Sequence, residues 1–81
     1  MDTKAVGRNI RFLLRGMGIT ESEFANKIHV NERTLERWLD GDRQITVYAL
    51  KRSADCLNVP MELLTMGMER QDGIHKDTEH F

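Results

Sequence analysis

The segment "ITESEFANKIHVNERTLERWLDG", residues 19–41, constrains the fold of this chain more than any other. Thr20 followed by Glu23 forms a capping box, in which a hydroxyl and a carboxylate satisfy free backbone N–H groups where a helix begins. Asn31 is a favourable N-cap for a second helix, and Gly41 suits the left-handed backbone that ends one. Both helices are too short to be stable alone, so they must pack against other helices.

Further helices are predicted on both sides of this segment. Apolar residues at helical spacing indicate a first helix over residues 4–17. Thr46 caps a fourth helix, and Pro60, which suits a first turn, begins a short fifth helix. The residues expected to face the core are Val6, Ile10, Leu13, Leu14 and Met17, then Phe24, Ala25 and Ile28, then Leu35, Trp38 and Leu39, and finally Val47, Leu50, Ala54 and Leu57.

The composition favours a small binding module. A chain of 81 residues holds one modest core, and a sizeable active-site cleft would use most of it. Residues 1–66 form the predicted domain and carry ten Lys and Arg against nine Asp and Glu. Residues 67–81, predicted to be a polar, mobile tail, carry two against four. The near-neutral domain is weak evidence for DNA binding, because small DNA-binding domains usually have a clear basic excess.

Several classes of function lack the residues they need. Cys56 is the only cysteine, which excludes a disulfide within the chain and a Cys-based zinc site, and we expect it to be a small, partly buried side chain. His29, His75 and His80 do not form a ligand set. No nucleophile has a recognisable setting, and no glycine-rich loop could hold phosphate. The sequence therefore predicts no enzyme, no metal or other cofactor and no small-molecule substrate.

The sequence also gives no sign of a membrane location. No apolar run approaches the roughly 18 residues of a membrane span. The N-terminus "MDTKAVGRN" lacks the basic and then apolar segments of a signal peptide. Together with the single cysteine, these features predict a cytoplasmic protein.

Two short helices joined by a tight turn in an all-α domain have the geometry of a helix-turn-helix, whose second helix can lie in a major groove. Residues 6–65 resemble the lambda-repressor-like (Cro/C1-type, XRE) DNA-binding domain. The resemblance is carried by residues 19–41 and continues through "LKRSADCLNVPMELL", which is similar to the family's last two helices. It implies a compact all-α fold of five helices, with double-stranded DNA as the partner and the helix of residues 32–39 in the major groove.

The resemblance assigns roles residue by residue. Ala25 corresponds to the small residue that lets the two helices cross closely, and Val30 and Leu35 correspond to the apolar contacts that fix their angle. Base-reading positions correspond to Asn31, Glu32, Arg33, Glu36 and Arg37. Positions that meet the sugar-phosphate backbone correspond to Thr20, Glu21, Arg43 and Gln44.

The chain departs from the family's pattern at two positions. Glu21 stands where the family commonly has Gln, and its carboxylate would repel phosphate. His29 stands where Gly is usual, and it must accept a left-handed backbone, which His does more readily than most residues other than Gly. The first departure affects the expected phosphate contact, and the second affects stability.

The charged residues allow more than one interpretation. Lys4, Arg8, Arg11 and Arg15 form a basic stripe on the first helix, which is either a solvated face or a surface on which one or two residues, Arg11 among them, contact phosphate. Arg33 and Arg37 have forked donors that match guanine. Glu32 and Glu36 could accept from cytosine or hold the arginines in position, and all four residues could instead form a salt-bridged surface.

These patterns predict a transcriptional regulator that binds operator DNA, acting as a homodimer because one helix covers too few base pairs for useful specificity. The dimer surface is expected around Met61, Leu64, Met66 and Met68, with the alternative that these residues only close the core. Trp38 could stack on a base but is expected to be a core residue. The alternative function is a helix-turn-helix module for protein contact, of the antitoxin or antirepressor type, which the carboxylates at positions 21, 32 and 36 would favour.

Overall fold

The structure, a computed structural model, describes residues 3–67, which form helices without any strand. The five helices are α1 (Thr3–Met17), α2 (Glu21–Lys27), α3 (Glu32–Asp40), α4 (Val47–Leu57) and α5 (Met61–Thr65). The prediction of an all-α domain with five helices is confirmed. Apart from Gly67, the predicted tail, with Met68, His75 and His80, lies outside the described residues. The division of the chain at position 66 and a role of Met68 in a dimer surface therefore stay predictions.

Polar side chains begin the three middle helices, as the sequence predicts. The backbone amide of Glu23 donates to the Thr20 hydroxyl oxygen at 3.0 Å, and the Glu23 carboxylate accepts from the Thr20 backbone amide at 2.9 Å. The Asn31 side-chain oxygen accepts from the amide of Thr34 at 2.7 Å. The Thr46 hydroxyl oxygen accepts from the backbone amide of Ala49, in the first turn of α4, at 3.0 Å. These bonds explain why the observed starts agree with the predicted ones.

The helices enclose one core, in which α1 packs against α3 and α5. The largest fully buried side chains include Ile10, Phe24, Leu35, Leu50 and Leu64. Trp38 is 8 % exposed, so its assignment to the core is confirmed.

Two glycines are required where the chain is most constrained. A Cβ atom on Gly7 would overlap the backbone carbonyl of Leu39, so α1 and α3 can cross this closely only because position 7 lacks a side chain. Gly41 ends α3 in the left-handed region with φ 81°. The predicted helix end is therefore confirmed, and it fixes where the following loop begins.

Some burial predictions are wrong. Met17 is 45 % exposed and Val47 is 67 % exposed, because each lies at an end of its helix, beyond the neighbouring helices. Ile45, in the preceding loop, is buried in place of Val47. Cys56, expected to be partly buried, is exposed. Leu64, expected at a dimer surface, is fully buried.

Candidate nucleic-acid interface

The turn between α2 and α3 has a defined backbone geometry. His29 has φ 62°, the left-handed conformation expected at this position. The amide of Val30 donates to the carbonyl of Ala25 at 3.0 Å, and the amide of His29 donates to the carbonyl of Asn26 at 3.3 Å. Ala25 is buried, and Val30 packs against the core. These contacts hold the two helices at a fixed angle, so α3 is presented as a rigid element.

One row of α3 faces the core, and the other faces solvent. The inward row is Leu35, Trp38 and Leu39. The residues predicted to read bases, which include the N-cap Asn31, are all exposed. They are Asn31, Glu32, Arg33, Glu36 and Arg37. The structure therefore places all five predicted base-reading residues at the solvent surface of the same short segment.

The arginines of this row are not held by the neighbouring carboxylates. Between residues of the described part of the chain, Arg11 forms ion pairs with Glu21 and with Asp40, and no ion pair involves an arginine of α3. Neither Glu32 nor Glu36 therefore forms an ion pair with Arg33 or Arg37, and the interpretation as a salt-bridged surface does not describe this structure. The two guanidinium groups retain their donors for a ligand.

Two of the polar residues already use part of their hydrogen-bonding capacity in helix caps. The side-chain oxygen of Asn31 accepts the bond that begins α3, so its amide nitrogen remains as the group that can donate to a base. A bidentate contact with adenine needs both atoms, and Asn31 would have to give up the cap to make one. The Thr20 hydroxyl donates to the Glu23 carboxylate at 3.1 Å, which likewise limits its use towards phosphate.

Arg11 has a different environment from the rest of the basic stripe. Its Nε lies 3.0 Å from a carboxylate oxygen of Glu21, and its Nη2 lies 2.9 Å from one of Asp40. Its Nη1 donates to the backbone carbonyl of Leu39 at 3.4 Å. The hydrogen bond to Glu21 is the main cause that raises the pKa of Arg11 above its already high ordinary value. We call Arg11, Glu21, Leu39 and Asp40 the Arg11 cluster.

The Arg11 cluster joins three helices at one place. Arg11 lies in the middle of α1, Glu21 is the first residue of α2, and Asp40 is the last residue of α3. The Glu21 carboxylate, which the sequence marks as a departure from the family's pattern, is therefore paired with a cation. Within the described chain, the Arg8 and Arg15 side chains have no such partner and are exposed.

The remaining residues predicted to contact phosphate lie on the surface near α3. Thr20, Arg43 and Gln44 are all exposed. The amides of Asp42 and Arg43 both donate to the carbonyl of Arg37, at 3.0 and 3.3 Å, so the loop after α3 is folded back onto that helix. The backbone of Arg43 is therefore held against the last turn of α3.

The sequence interpretation missed two exposed aromatic residues. Phe12 is 74 % exposed and follows Arg8 by one helical turn on α1. Tyr48 is 69 % exposed at the start of α4, where the Arg52 guanidinium lies 5.6 Å from its ring centre and donates to its hydroxyl at 2.8 Å. The pair borders an open groove of about 630 Å³ lined by Lys27, Tyr48, Lys51, Arg52, Asp55 and Cys56. The four-residue spacing of Tyr48 and Arg52 was the available signal.

Residues 3–67 provide neither of two other kinds of site. No group of three or more His, Cys, Asp or Glu side chains is arranged there to hold a metal ion. None of the helices in this part of the chain has the length and apolar character needed to cross a bilayer.

The fold has a counterpart among solved structures. The chain is similar to the restriction-modification controller protein C.AhdI from Aeromonas hydrophila, with a TM-score of 0.74 and 17 % sequence identity, over 78 % of this chain and 96 % of that chain. No protein-family model and no curated protein sequence matches the chain. The likeness shows the fold alone, and at the level of the fold it confirms the predicted resemblance to a lambda-repressor-like helix-turn-helix.

Proposed function

We propose that the protein is a sequence-specific transcriptional regulator that places α3 in the major groove of an operator. The observation that carries this proposal is the outward row of α3, where Arg33 and Arg37 are exposed and unpaired within the described chain. The similar structure is that of a restriction-modification controller protein, which supports a regulatory function. A regulator of this kind acts on DNA in the cytoplasm.

The proposed base contacts follow from the side chains of α3. Arg33 and Arg37 donate to guanine O6 and N7, because a guanidinium fork matches this pair of acceptors. Glu32 and Glu36 accept from cytosine amino groups, and they disfavour any approach that brings phosphate to their carboxylates. Asn31 contributes its amide nitrogen. The mixture of charges makes binding selective instead of indiscriminate.

The proposed phosphate contacts flank α3 along the chain. Arg43 and Gln44 follow the end of α3, and Thr20 lies at the start of α2. Such contacts position a protein on the duplex without reading its sequence. They suit residues on caps and loops, where backbone amides and polar side chains are exposed together.

We propose that two copies bind together, since one recognition helix reads few base pairs and two half-sites a helical turn apart restore specificity. The surface best suited to a homodimer is the apolar patch of Phe12, Leu13, Leu63 and Met66, which together with Asn9 line one small cavity between α1 and α5. The Asn9 amide donates to the carbonyl of Leu64 at 2.9 Å and to that of Met66 at 2.6 Å. These bonds fix the end of α5 against α1, so the patch is a rigid surface.

A second candidate function is binding to a protein partner in place of DNA. The observation that favours it is the exposure of Glu32 and Glu36 beside the arginines of α3, because carboxylates near phosphate weaken DNA binding. An antitoxin or antirepressor would use the same outward row of α3 to contact its partner.

Selection from a random pool of DNA duplexes, followed by sequencing, tests the proposed function. We expect one enriched motif with two related half-sites. Affinity for the selected duplex should fall with salt, with a log-log slope of about −0.9 for each phosphate contacted. Absence of enrichment, with weak binding that is equal for all duplexes, would contradict DNA reading and leave the protein-contact function.

A further inference from the structure

We propose that Arg11 is a positioning residue for operator recognition and does not itself contact DNA. The inference rests on the proposed function and assigns a role to the Arg11 cluster within it. Arg11 holds the start of α2 and the end of α3 in one geometry, so that the phosphate contacts at α2 and the base contacts of α3 are made at the same time.

The geometry of the cluster uses each of the three guanidinium nitrogens. Nε binds Glu21 at 3.0 Å, Nη2 binds Asp40 at 2.9 Å, and Nη1 donates to the Leu39 carbonyl at 3.4 Å. Only a planar fork of donors can reach all three acceptors, and a lysine ammonium is a single point charge on a flexible stem. The same charge in a different shape would therefore not preserve the cluster.

The location of the cluster explains why these bonds affect the interface. Glu21 directly follows Thr20, which begins α2, and Asp40 directly precedes Gly41, from which the loop bearing Arg43 departs. Both places border residues with proposed DNA contacts. Close packing of Gly7 against the Leu39 backbone fixes α1 in relation to α3, and the Arg11 side chain ties the start of α2 and the end of α3 to α1.

The partners of Arg11 also bear on whether it could anchor phosphate. The side chains of Arg11, Glu21 and Asp40 are 35 %, 37 % and 45 % exposed, and the pairs carry one positive against two negative charges. A phosphate approaching Arg11 would meet two carboxylates that already occupy its donors. A cation free to bind phosphate is found instead at Arg15, one turn further along α1 and exposed.

Operator preference distinguishes positioning from a phosphate contact. A positioning residue affects the operator complex, which needs both sets of contacts in register, and has little effect on a scrambled duplex. A phosphate anchor affects both duplexes equally. The measurement is therefore the ratio of the two affinities, obtained by fluorescence anisotropy with the duplex selected from the random pool and with a scrambled duplex of the same composition.

The variants are Arg11→Lys, Arg11→Ala, Glu21→Ala and Glu21→Gln in the full chain, with Arg15→Ala as the control on the same helix. All are compared at a temperature where circular dichroism shows them folded. We expect Arg11→Lys, Arg11→Ala and Glu21→Ala to lower the operator preference about tenfold, a change of about 1.4 kcal/mol. Glu21→Gln keeps an acceptor for Arg11 and should retain the preference, and Arg15→Ala should leave it unchanged.

Glu21→Ala gives the sharpest contrast. If Glu21 acted only by repelling phosphate, its removal would tighten binding to both duplexes and leave the ratio unchanged, which would overturn the proposal. The proposal would also be overturned if Arg11→Lys bound both duplexes with unchanged affinity and Arg11→Ala lost affinity for both equally. That result would identify Arg11 as a phosphate anchor. If the Arg11 variants melted at a lower temperature but kept the operator preference, the cluster would have only a structural role, and the proposal would be overturned. Failure of the unaltered protein to prefer any duplex would overturn the proposed function and this inference with it.

Discussion

At the scale of single residues, the arginines on the surface differ in what holds them: Arg11 is paired with Glu21 and Asp40, whereas Arg33 and Arg37 form no ion pair with another described residue. The period of α3 places Arg33, Glu36 and Arg37 on the side of the helix away from its buried row, and the structure agrees. The pairing of Arg11 could not be predicted, because it depends on how three helices approach one another. Periodicity within α1 cannot carry that information.

The division between base readers and phosphate anchors gives a first prediction at this scale. Arg37→Ala should relax the preference at one operator position, at a cost of about 1 to 3 kcal/mol against the best base, since a bidentate contact with guanine is lost. Arg43→Ala should weaken binding to all duplexes about equally and reduce the salt slope by about 0.9. Binding to a set of singly substituted operators checks both. Identical profiles for the two variants would show that the division is wrong.

The capping box gives a second prediction, which concerns pH. Hydrogen bonds from Thr20, chiefly from its backbone amide, hold the pKa of Glu23 below its ordinary value of 4.5. A group whose pKa is lower in the folded protein stabilises it above the unfolded pKa, and this contribution is lost as the pH falls through the folded pKa. The difference in melting temperature between the unaltered protein and Glu23→Ala should therefore be largest near neutral pH and narrow below about pH 4.5. A constant difference would contradict an electrostatic role for this carboxylate.

At the scale of helices, the sequence predicts where a helix begins, but it does not predict whether an apolar residue at a helix end is buried. Thr20, Asn31 and Thr46 identify three starts because a side-chain cap is a local interaction, made within four residues. Met17 and Val47 fit the apolar period but lie at helix ends, where no neighbour covers them. A period indicates which face of a helix is apolar, and the length of the neighbouring helix decides how much of that face is buried.

Two glycines of α1 test how closely that helix is packed. At Gly7 a methyl group would overlap the Leu39 backbone, which cannot move aside as a flexible side chain would, so Gly7→Ala should destabilise the fold by about 1 to 3 kcal/mol. At Gly16 no atom lies within 4 Å of the added carbon, so Gly16→Ala should stabilise the protein by about 0.5 to 1 kcal/mol through helix propensity. Urea unfolding measures both. Equal effects of the two variants would contradict the close crossing of α1 and α3.

At the scale of the whole molecule, overall charge says little about function, and its distribution says more. Residues 3–67 contain ten basic and eight acidic side chains, a small excess for a protein that binds DNA. Arg11 is paired with two of the carboxylates, whereas the arginines of α3 are unpaired in this part of the chain. The arginines of α3 therefore keep their positive charge available to a ligand, which the total charge cannot reveal.

The apolar patch gives the prediction that belongs to this scale. Phe12 is the most exposed residue of the patch, at 74 %, and a charge placed there would be buried without a partner if two copies met at this surface. Phe12→Glu should therefore raise the dimer dissociation constant at least about tenfold, equivalent to about 1.4 kcal/mol, and weaken operator binding. Sedimentation equilibrium measures the first effect and anisotropy the second.

The chain offers a matched control at Tyr48, which is 69 % exposed on α4, away from this patch. Tyr48→Glu adds the same charge to the molecule and removes an aromatic ring of similar exposure, so any loss of DNA binding caused by charge alone appears in both variants. Only Phe12→Glu should shift the monomer-dimer equilibrium. If Tyr48→Glu dissociated the dimer and Phe12→Glu did not, the two copies would meet at α4, and the patch between α1 and α5 would have to be assigned to another contact.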